Sequence, residues 1–260
     1  MKLPQFYIDD IIRRGLSEDI NYIDVTSDYL IDEEKVSAAR FVSKDSGVLA
    51  GIEIAMRVFT LLDDTVSFQL LKKDGDRIRK GDIILTMQGH TAALLKGERT
   101  ALNLVQHMSG IATATARCVE LVKGTNASIT DTRKTLPGLR ALQKYAVVTG
   151  GGKNHRYNLS DAAMLKDNHI DAYGSLTNAV NALREKVGHM VRIEVEVRTL
   201  EELREALIDM GLCKRTTRPP GMAVLNKALV KYGVKIQSET KCVREGKAVK
   251  MLTYWYIKKM

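Results

Sequence analysis

The amino-acid sequence predicts an α/β protein built on a parallel sheet, and three observations carry that expectation. From residue 127 onward, short apolar runs alternate with longer helix-spaced runs, three times in succession, the signature of β-then-α units. The short runs read as short, apolar strands, as strands buried on both faces should be. Hydrophobic residues make up 45% of the 260 positions and charged residues 27%, the balance of a chain with a real core.

Taken in order, residues 6–16 place Phe6, Ile8, Ile11, Ile12 and Leu16 near helical spacing, with Gly15 near the end, and predict a helix. Residues 36–88 change to short β-type runs broken by turn residues: Val36 to Val42, Val48 to Gly51, Val66 to Leu71 and Ile83 to Met87. Asp74 to Asp82 forms a turn-rich hairpin. From Thr91 to Lys123 the period is helical, with Leu94, Leu95, Ala101, Leu102, Val105 and Met108 in one stripe. Ser109-Gly110 interrupts it before Ile111 to Val122 resumes. The three repeated units follow: a strand at 127–130 before a helix at 139–148, one at 162–165 before a helix at 176–187, and one at 191–197 before a helix at 200–208.

Composition narrows the class of function. No apolar run of signal-peptide type follows Met1-Lys2-Leu3-Pro4, and no stretch approaches the roughly 20 apolar residues of a spanning helix. Cys118, Cys213 and Cys242 are odd in number and far apart, which speaks against a disulfide framework and for a reducing, cytoplasmic setting. The net charge of +9 is unevenly placed. Residues 211–260 carry twelve Lys or Arg against Glu239 and Glu245, leaving 28 basic and 29 acidic groups in residues 1–210. That tail has no helix-turn-helix, zinc or RNP pattern, so its charge alone does not make a nucleic-acid binder.

Ligands of parallel sheets bind where strands end and loops begin. The first predicted strand ends in Asp131-Thr132-Arg133-Lys134-Thr135. The second follows Gly150-Gly151-Gly152-Lys153-Asn154-His155-Arg156 and ends in Lys166-Asp167-Asn168-His169, while the third carries Glu194 and Glu196. Arg133, Lys134, Lys153, His155, Arg156, Lys166 and His169 are thus expected on one face. Cations gathered this way repel unless an anion of several charges lies between them, and carboxylates or phosphates fit Arg and Lys. Glu196 is expected to hold a divalent metal or to stabilise a developing cation. The glycine triple has no GxxxxGK[ST] pattern and is no P-loop; alone it is a flexible loop. His107 and His189 are expected to be structural or solvated.

At this point the sequence resembles the quinolinate phosphoribosyltransferases. The resemblance rests on Gly97-Glu98-Arg99-Thr100-Ala101-Leu102-Asn103, on Ser109 to Thr113 as the second of a helix pair, on Asp131 to Arg140, on the unbroken block from Lys144 to Ile170, and on Ile193 to Val197. It covers about residues 1–209. It implies an N-terminal α/β sandwich (1–108), the first part of an incomplete α/β, TIM-like barrel carrying the active site (109–210), and an atypical basic tail (211–260). It implies a homodimer or larger homo-oligomer in which Arg99 completes the neighbour's site. Quinolinate's carboxylates would meet Arg133, His155, Arg156 and Lys166, with Thr132 beside them. Lys134 would lie between quinolinate and phosphoribosyl pyrophosphate, and Glu196 would face the ribose and Mg²⁺.

Past Asp209 the family pattern stops. Thr217 stands about where a second acidic metal ligand belongs, Pro219-Pro220 disfavours a buried central strand, and the Ser-Gly-Gly and Ser-Val-Gly strand ends that would cradle a 5′-phosphate are missing. A frameshifted or otherwise replaced C-terminus accounts for this. It leaves two alternatives open: a catalytically dead binding subunit of the same fold, and a related phosphoribosyltransferase with another substrate.

Overall fold

Helix α1 (Gln5–Ile20) turns Ile12 and Leu16 inward, one turn apart on a single face. The computed structural model describes residues 3–209 and the backbone of 234–245 and 248–259. They fall into two units divided between Tyr157 and Asn158.

In the first unit, α2 (Ser27–Leu30) leads to β1 (Val36–Val42) and β2 (Gly47–Val48). Helix α3 (Ile52–Leu62), β3 (Ser67–Leu70), β4 (Arg77–Ile78) and β5 (Ile83–His90) follow. An antiparallel sheet runs β1-β5-β3, with Val36 opposite His90 and Ser67 opposite Gln88, while β2 pairs with β4. Helix α4 (Thr91–Leu121) packs against α3: Ile52, Ala55, Val58 and Phe59 meet Leu94, Ala101, Val105 and Met108 in the main core. Phe59 also meets Phe41 of the sheet edge-to-face, with ring centroids 6.1 Å apart. Helix α5 (Arg140–Thr149) docks on α4 through Leu142 and Ala146.

Two expectations fail here, each for a physical reason. Residues 36–88 are not all β-type, because α3 lies within them. Its buried residues recur at helical spacing, and its N-terminal amides are capped from far along the chain: Gly51 and Ile52 donate to the Asp74 carboxylate at 2.8 and 3.0 Å. A cap supplied 22 residues later leaves no mark in the local pattern. Nor do Ser109 and Gly110 break α4, which is one helix of 31 residues and not a pair. The Ser109 hydroxyl is engaged by Ala50, accepting from its N–H at 3.0 Å and donating to its carbonyl at 3.2 Å. That tie anchors the helix beside a glycine worth about 1 kcal/mol of lost propensity.

The second unit contains β6 (Ala163–Leu165), α6 (Asp167–Tyr173), α7 (Leu176–Lys186), β7 (Ile193–Val195) and α8 (Leu200–Asp209). β6 and β7 are parallel, with Leu165 opposite Val195, and the chain is therefore α/β in class. Leu165, Ile170, Leu176, Ala179, Val180 and Ala206 form its core. Ser175 caps α7 by accepting from the Asn178 N–H at 3.1 Å. Helix α6 was not foreseen between the second strand and its helix. The expected first strand, 127–130, is reduced to a parallel bridge between Thr130 and Lys153 in the first unit. Farther on, β8 (Val234–Glu245) and β9 (Ala248–Lys259) pair antiparallel, Glu245 opposite Ala248. Thr217 and Pro219-Pro220 lie outside the described residues. No helix among the described residues is long and apolar enough to cross a membrane.

Candidate active site

The first unit brings two segments side by side. The Lys153 N–H donates to the Ile129 carbonyl at 2.8 Å, and the Asp131 N–H donates to the Lys153 carbonyl at 3.1 Å. What delivers Lys153 to this place is the glycine triple. Gly150, Gly151 and Gly152 donate their N–H groups to the Ala146, Val148 and Val147 carbonyls and so satisfy the end of α5. A Cβ on Gly150 would stand 2.3 Å from the Ala112 carbonyl oxygen of α4, and one on Gly152 2.9 Å from the Thr115 side chain. Gly151 has a φ of +89°, open to glycine at little cost. The triple is therefore a tightly packed helix terminus and not a flexible loop.

Asp131 sits at the meeting point. Its Oδ1 accepts from Lys144 Nζ at 2.5 Å and from the His155 N–H at 2.8 Å, and Lys144 also donates to the His155 carbonyl at 3.2 Å. The Asn154 amide, turned so that its nitrogen faces Asp131, donates to Oδ2 at 2.6 Å. Around the turn that follows, Thr132 Oγ1 accepts from the Lys134 N–H at 3.0 Å, and the Thr135 N–H donates to the Arg133 carbonyl at 3.0 Å. Arg140 Nε donates to Thr135 Oγ1 at 3.0 Å and its Nη1 to the Tyr157 carbonyl at 3.3 Å, while Gln143 accepts from the Leu136 N–H at 3.1 Å. Burial, then a hydrogen bond with Tyr7, pushes the Tyr157 phenol up to about 12.

Thr132, Arg133, Lys134, His155 and Arg156 thus stand on two adjacent, cross-linked segments. His155 and Arg156 are half-buried, and Lys134 is exposed. Arg133 Nε is buried without a hydrogen-bond partner among the described residues, a donor that calls for an acceptor from a ligand. Arg99 stands exposed on α4. His107, expected to be structural or solvated, meets Gln143 at 2.8 Å through Nε2.

In the second unit, Lys166 follows β6 and Glu196 follows β7. The parallel pairing carries one step further, as the Glu196 N–H donates to the Leu165 carbonyl at 2.9 Å. Their side chains form an ion pair, Lys166 Nζ to Glu196 Oε2, at 3.0 Å. His169 departs from expectation. Its Nδ1 accepts the Lys166 N–H at 3.0 Å, so in this geometry the ring caps the backbone at the start of α6. Among the described residues no group of three or more His, Cys, Asp or Glu side chains is placed to hold a metal ion. Glu196, one exposed carboxylate, suits an ion such as Mg²⁺ that takes few protein ligands and fills its shell with water and substrate phosphate.

Sequence reasoning passed over Arg140, Gln143, Lys144 and Asn154. The available signal was Lys144, a lysine set among Ala141, Leu142 and Ala146 in a helix whose other face had to be polar.

The fold and this geometry define the class: an α/β protein presenting cations from strand ends and their following loops. Comparison with known proteins supplies the particular family. Residues 24–109 match the quinolinate phosphoribosyl transferase N-terminal domain and residues 111–211 its C-terminal domain, so the chain belongs to the quinolinate phosphoribosyltransferase family. It is 50% identical over 190 residues to a probable nicotinate-nucleotide pyrophosphorylase [carboxylating] of Bacillus subtilis, a match covering 73% of this chain and 65% of that protein. It is 46% identical over 203 residues to the Mycobacterium leprae enzyme of that name, covering 77% of this chain and 71% of that one. The crystal structure of NadC from Streptococcus pyogenes superposes with a TM-score of 0.79 at 41% identity, over 88% of this chain and 81% of that one.

Proposed function

We propose that this chain binds quinolinate and belongs to the machinery that transfers phosphoribosyl to it from phosphoribosyl pyrophosphate, with loss of CO₂ and pyrophosphate, giving nicotinate mononucleotide for NAD synthesis. The observation that carries this reading is the buried, unpartnered Arg133 Nε on a segment cross-linked to His155 and Arg156. A rigid dicarboxylate supplies the acceptors such an array needs. The names of the relatives support the same assignment.

In this reading Arg133, His155 and Arg156 grip the carboxylates, with Thr132 shaping the turn and Lys134 directed toward the diphosphate. The pyridine nitrogen bonds to C1 of the ribose as the C1–oxygen bond to pyrophosphate breaks. The ring, now cationic, accepts the electron pair left when the adjacent carboxylate departs as CO₂, and a proton takes its place on that carbon. Positioning and charge suffice, and no covalent nucleophile is needed. Lys166 exchanges its Glu196 partner for substrate carboxylate, and Glu196 then faces the ribose. A Mg²⁺ bound by Glu196 and the diphosphate would draw charge from the leaving group. A cytoplasmic homodimer in which Arg99 reaches the neighbour's site belongs to the same proposal, as does the division into a sandwich domain (1–108), a barrel segment (109–210) and a basic tail (211–260).

The family match ends at residue 211, and this favours a second reading, binding without turnover. Calorimetry with quinolinate, followed by a nicotinate mononucleotide assay with phosphoribosyl pyrophosphate and Mg²⁺, separates the two. Binding with strongly reduced turnover is expected. Turnover at an ordinary enzyme's rate would remove the second reading, and absence of quinolinate binding would remove both.

A further inference from the structure

We propose that helix α5 is the positioning element of the anion-binding segments, with Lys144 and Arg140 as its two positioning residues. The proposal rests on the quinolinate reading for what the segments bind, but its geometry stands on contacts within the first unit. Arg140 and Lys144 lie one helical turn apart and so share a face. Each joins the same two segments. Lys144 bridges Asp131 to the His155 carbonyl, and Arg140 bridges Thr135 to the Tyr157 carbonyl. Arg133 and Lys134 lie between the anchors at Asp131 and Thr135. His155 and Arg156 lie at the anchors His155 and Tyr157.

These side-chain ties add to the backbone bridge at Lys153 and extend it past Asp131 and His155, where the two segments carry adjacent cations that repel one another. Lys144 does not add to that repulsion, because Asp131 neutralises it at 2.5 Å and its side chain is wholly buried. The helix that holds the ties is itself fixed. Ala141, Leu142 and Ala146 are buried, and the Tyr145 hydroxyl donates to Asp74 at 2.8 Å, the carboxylate that also caps α3. The ligand-facing cations therefore inherit their spacing from a helix that does not touch the ligand, as supporting groups set the geometry of a site elsewhere.

The test uses the full chain and two readouts, quinolinate affinity by calorimetry and amide hydrogen exchange at His155. Lys144→Met is expected to weaken quinolinate binding about tenfold or more, the loss typical when a supporting group is removed. It should also strip protection from the His155 amide while the amides of α3 and the first half of α4 stay protected. If that variant does not fold, Asp131→Asn/Lys144→Met, which leaves no buried charge, and Arg140→Met carry the same expectation of weakened binding. Leu142→Ala, in the same helix, should lower stability by leaving a cavity and keep affinity within about twofold. A Lys144→Met protein with a protected His155 amide and unchanged affinity would overturn the positioning role. Should the wild-type chain bind no quinolinate, the functional reading fails, and exchange at His155 decides alone: lost protection in the variant supports the clamp, and retained protection overturns it.

Discussion

Two lysine–carboxylate pairs invite comparison, one in each unit: the first stands beside candidate site residues and the second is made of them. Lys144 and Asp131 are 2.5 Å apart with side chains 0% and 7% exposed, whereas Lys166 and Glu196 are 3.0 Å apart and 48% and 59% exposed. The chemistry is the same and the consequence is opposite. Two charges taken out of water are committed to one another, since either left alone would bear a desolvation penalty of several kcal/mol. Two charges left in water are nearly indifferent to their pairing, which is worth about 0–1 kcal/mol. The first pair can therefore act as a fixture. The second can release Lys166 to an incoming carboxylate at small cost, which suits a group expected to meet substrate.

The contrast is broken most severely by Lys144→Met, which removes the cation that pairs with the buried Asp131 carboxylate; a loss of about 3–5 kcal/mol in denaturant unfolding is expected. Gly150→Ala attacks the same region sterically. Its new Cβ would press on a backbone oxygen that cannot swing aside, and overpacking of this kind costs about 1–3 kcal/mol.

Asp63 lies between the extremes in kind. Its carboxylate, 7% exposed, accepts from the Thr65 hydroxyl and N–H and from the His90 N–H, and pairs with the His90 ring. The Thr65 hydroxyl first, and the backbone and His90 bonds after it, hold its carboxyl well below the usual carboxylate range. A depressed folded-state value means stability that is fully present above the unfolded value near pH 4 and lost as pH falls toward the folded one. Asp63→Asn should lower stability at neutral pH by about 1–3 kcal/mol and flatten the decline below about pH 4. A variant as acid-sensitive as the parent would count against this assignment. The smallest stability effect belongs to Glu196→Gln, expected to change unfolding free energy by at most about 1 kcal/mol. A larger loss would mean that the exposed pair is a fixture too.

Legibility in the sequence followed how local each cause is. Strand β5 and helix α4 were visible because periodic burial writes itself into neighbouring residues. Helix α3 has the same periodic burial but no local start signal, because its cap comes from Asp74. The 127–130 strand was overread, since an apolar run records burial without specifying a ladder partner, and here only Thr130 finds one. At the candidate site, the Asp131 to Arg140 and Lys144 to Ile170 motifs were plain, whereas the use made of the glycines and of His169 was not. Glycine in sequence signals freedom, while Gly150 and Gly152 serve closeness to α4. His169 looked like one more cation and proved to be a backbone acceptor.

By itself the sequence determined the α/β class, the family to which residues 24–211 belong, the identity of the cations set on loops near strand ends, and the placement of the basic excess after residue 210. Those are properties of residue type and spacing along the chain. Only the tertiary structure decided that Lys144 is a buried fixture and Lys166 an exposed, exchangeable charge. A lysine has one chemistry in sequence; its role follows from how much water and which carboxylate surround it, and both are set by segments distant along the chain.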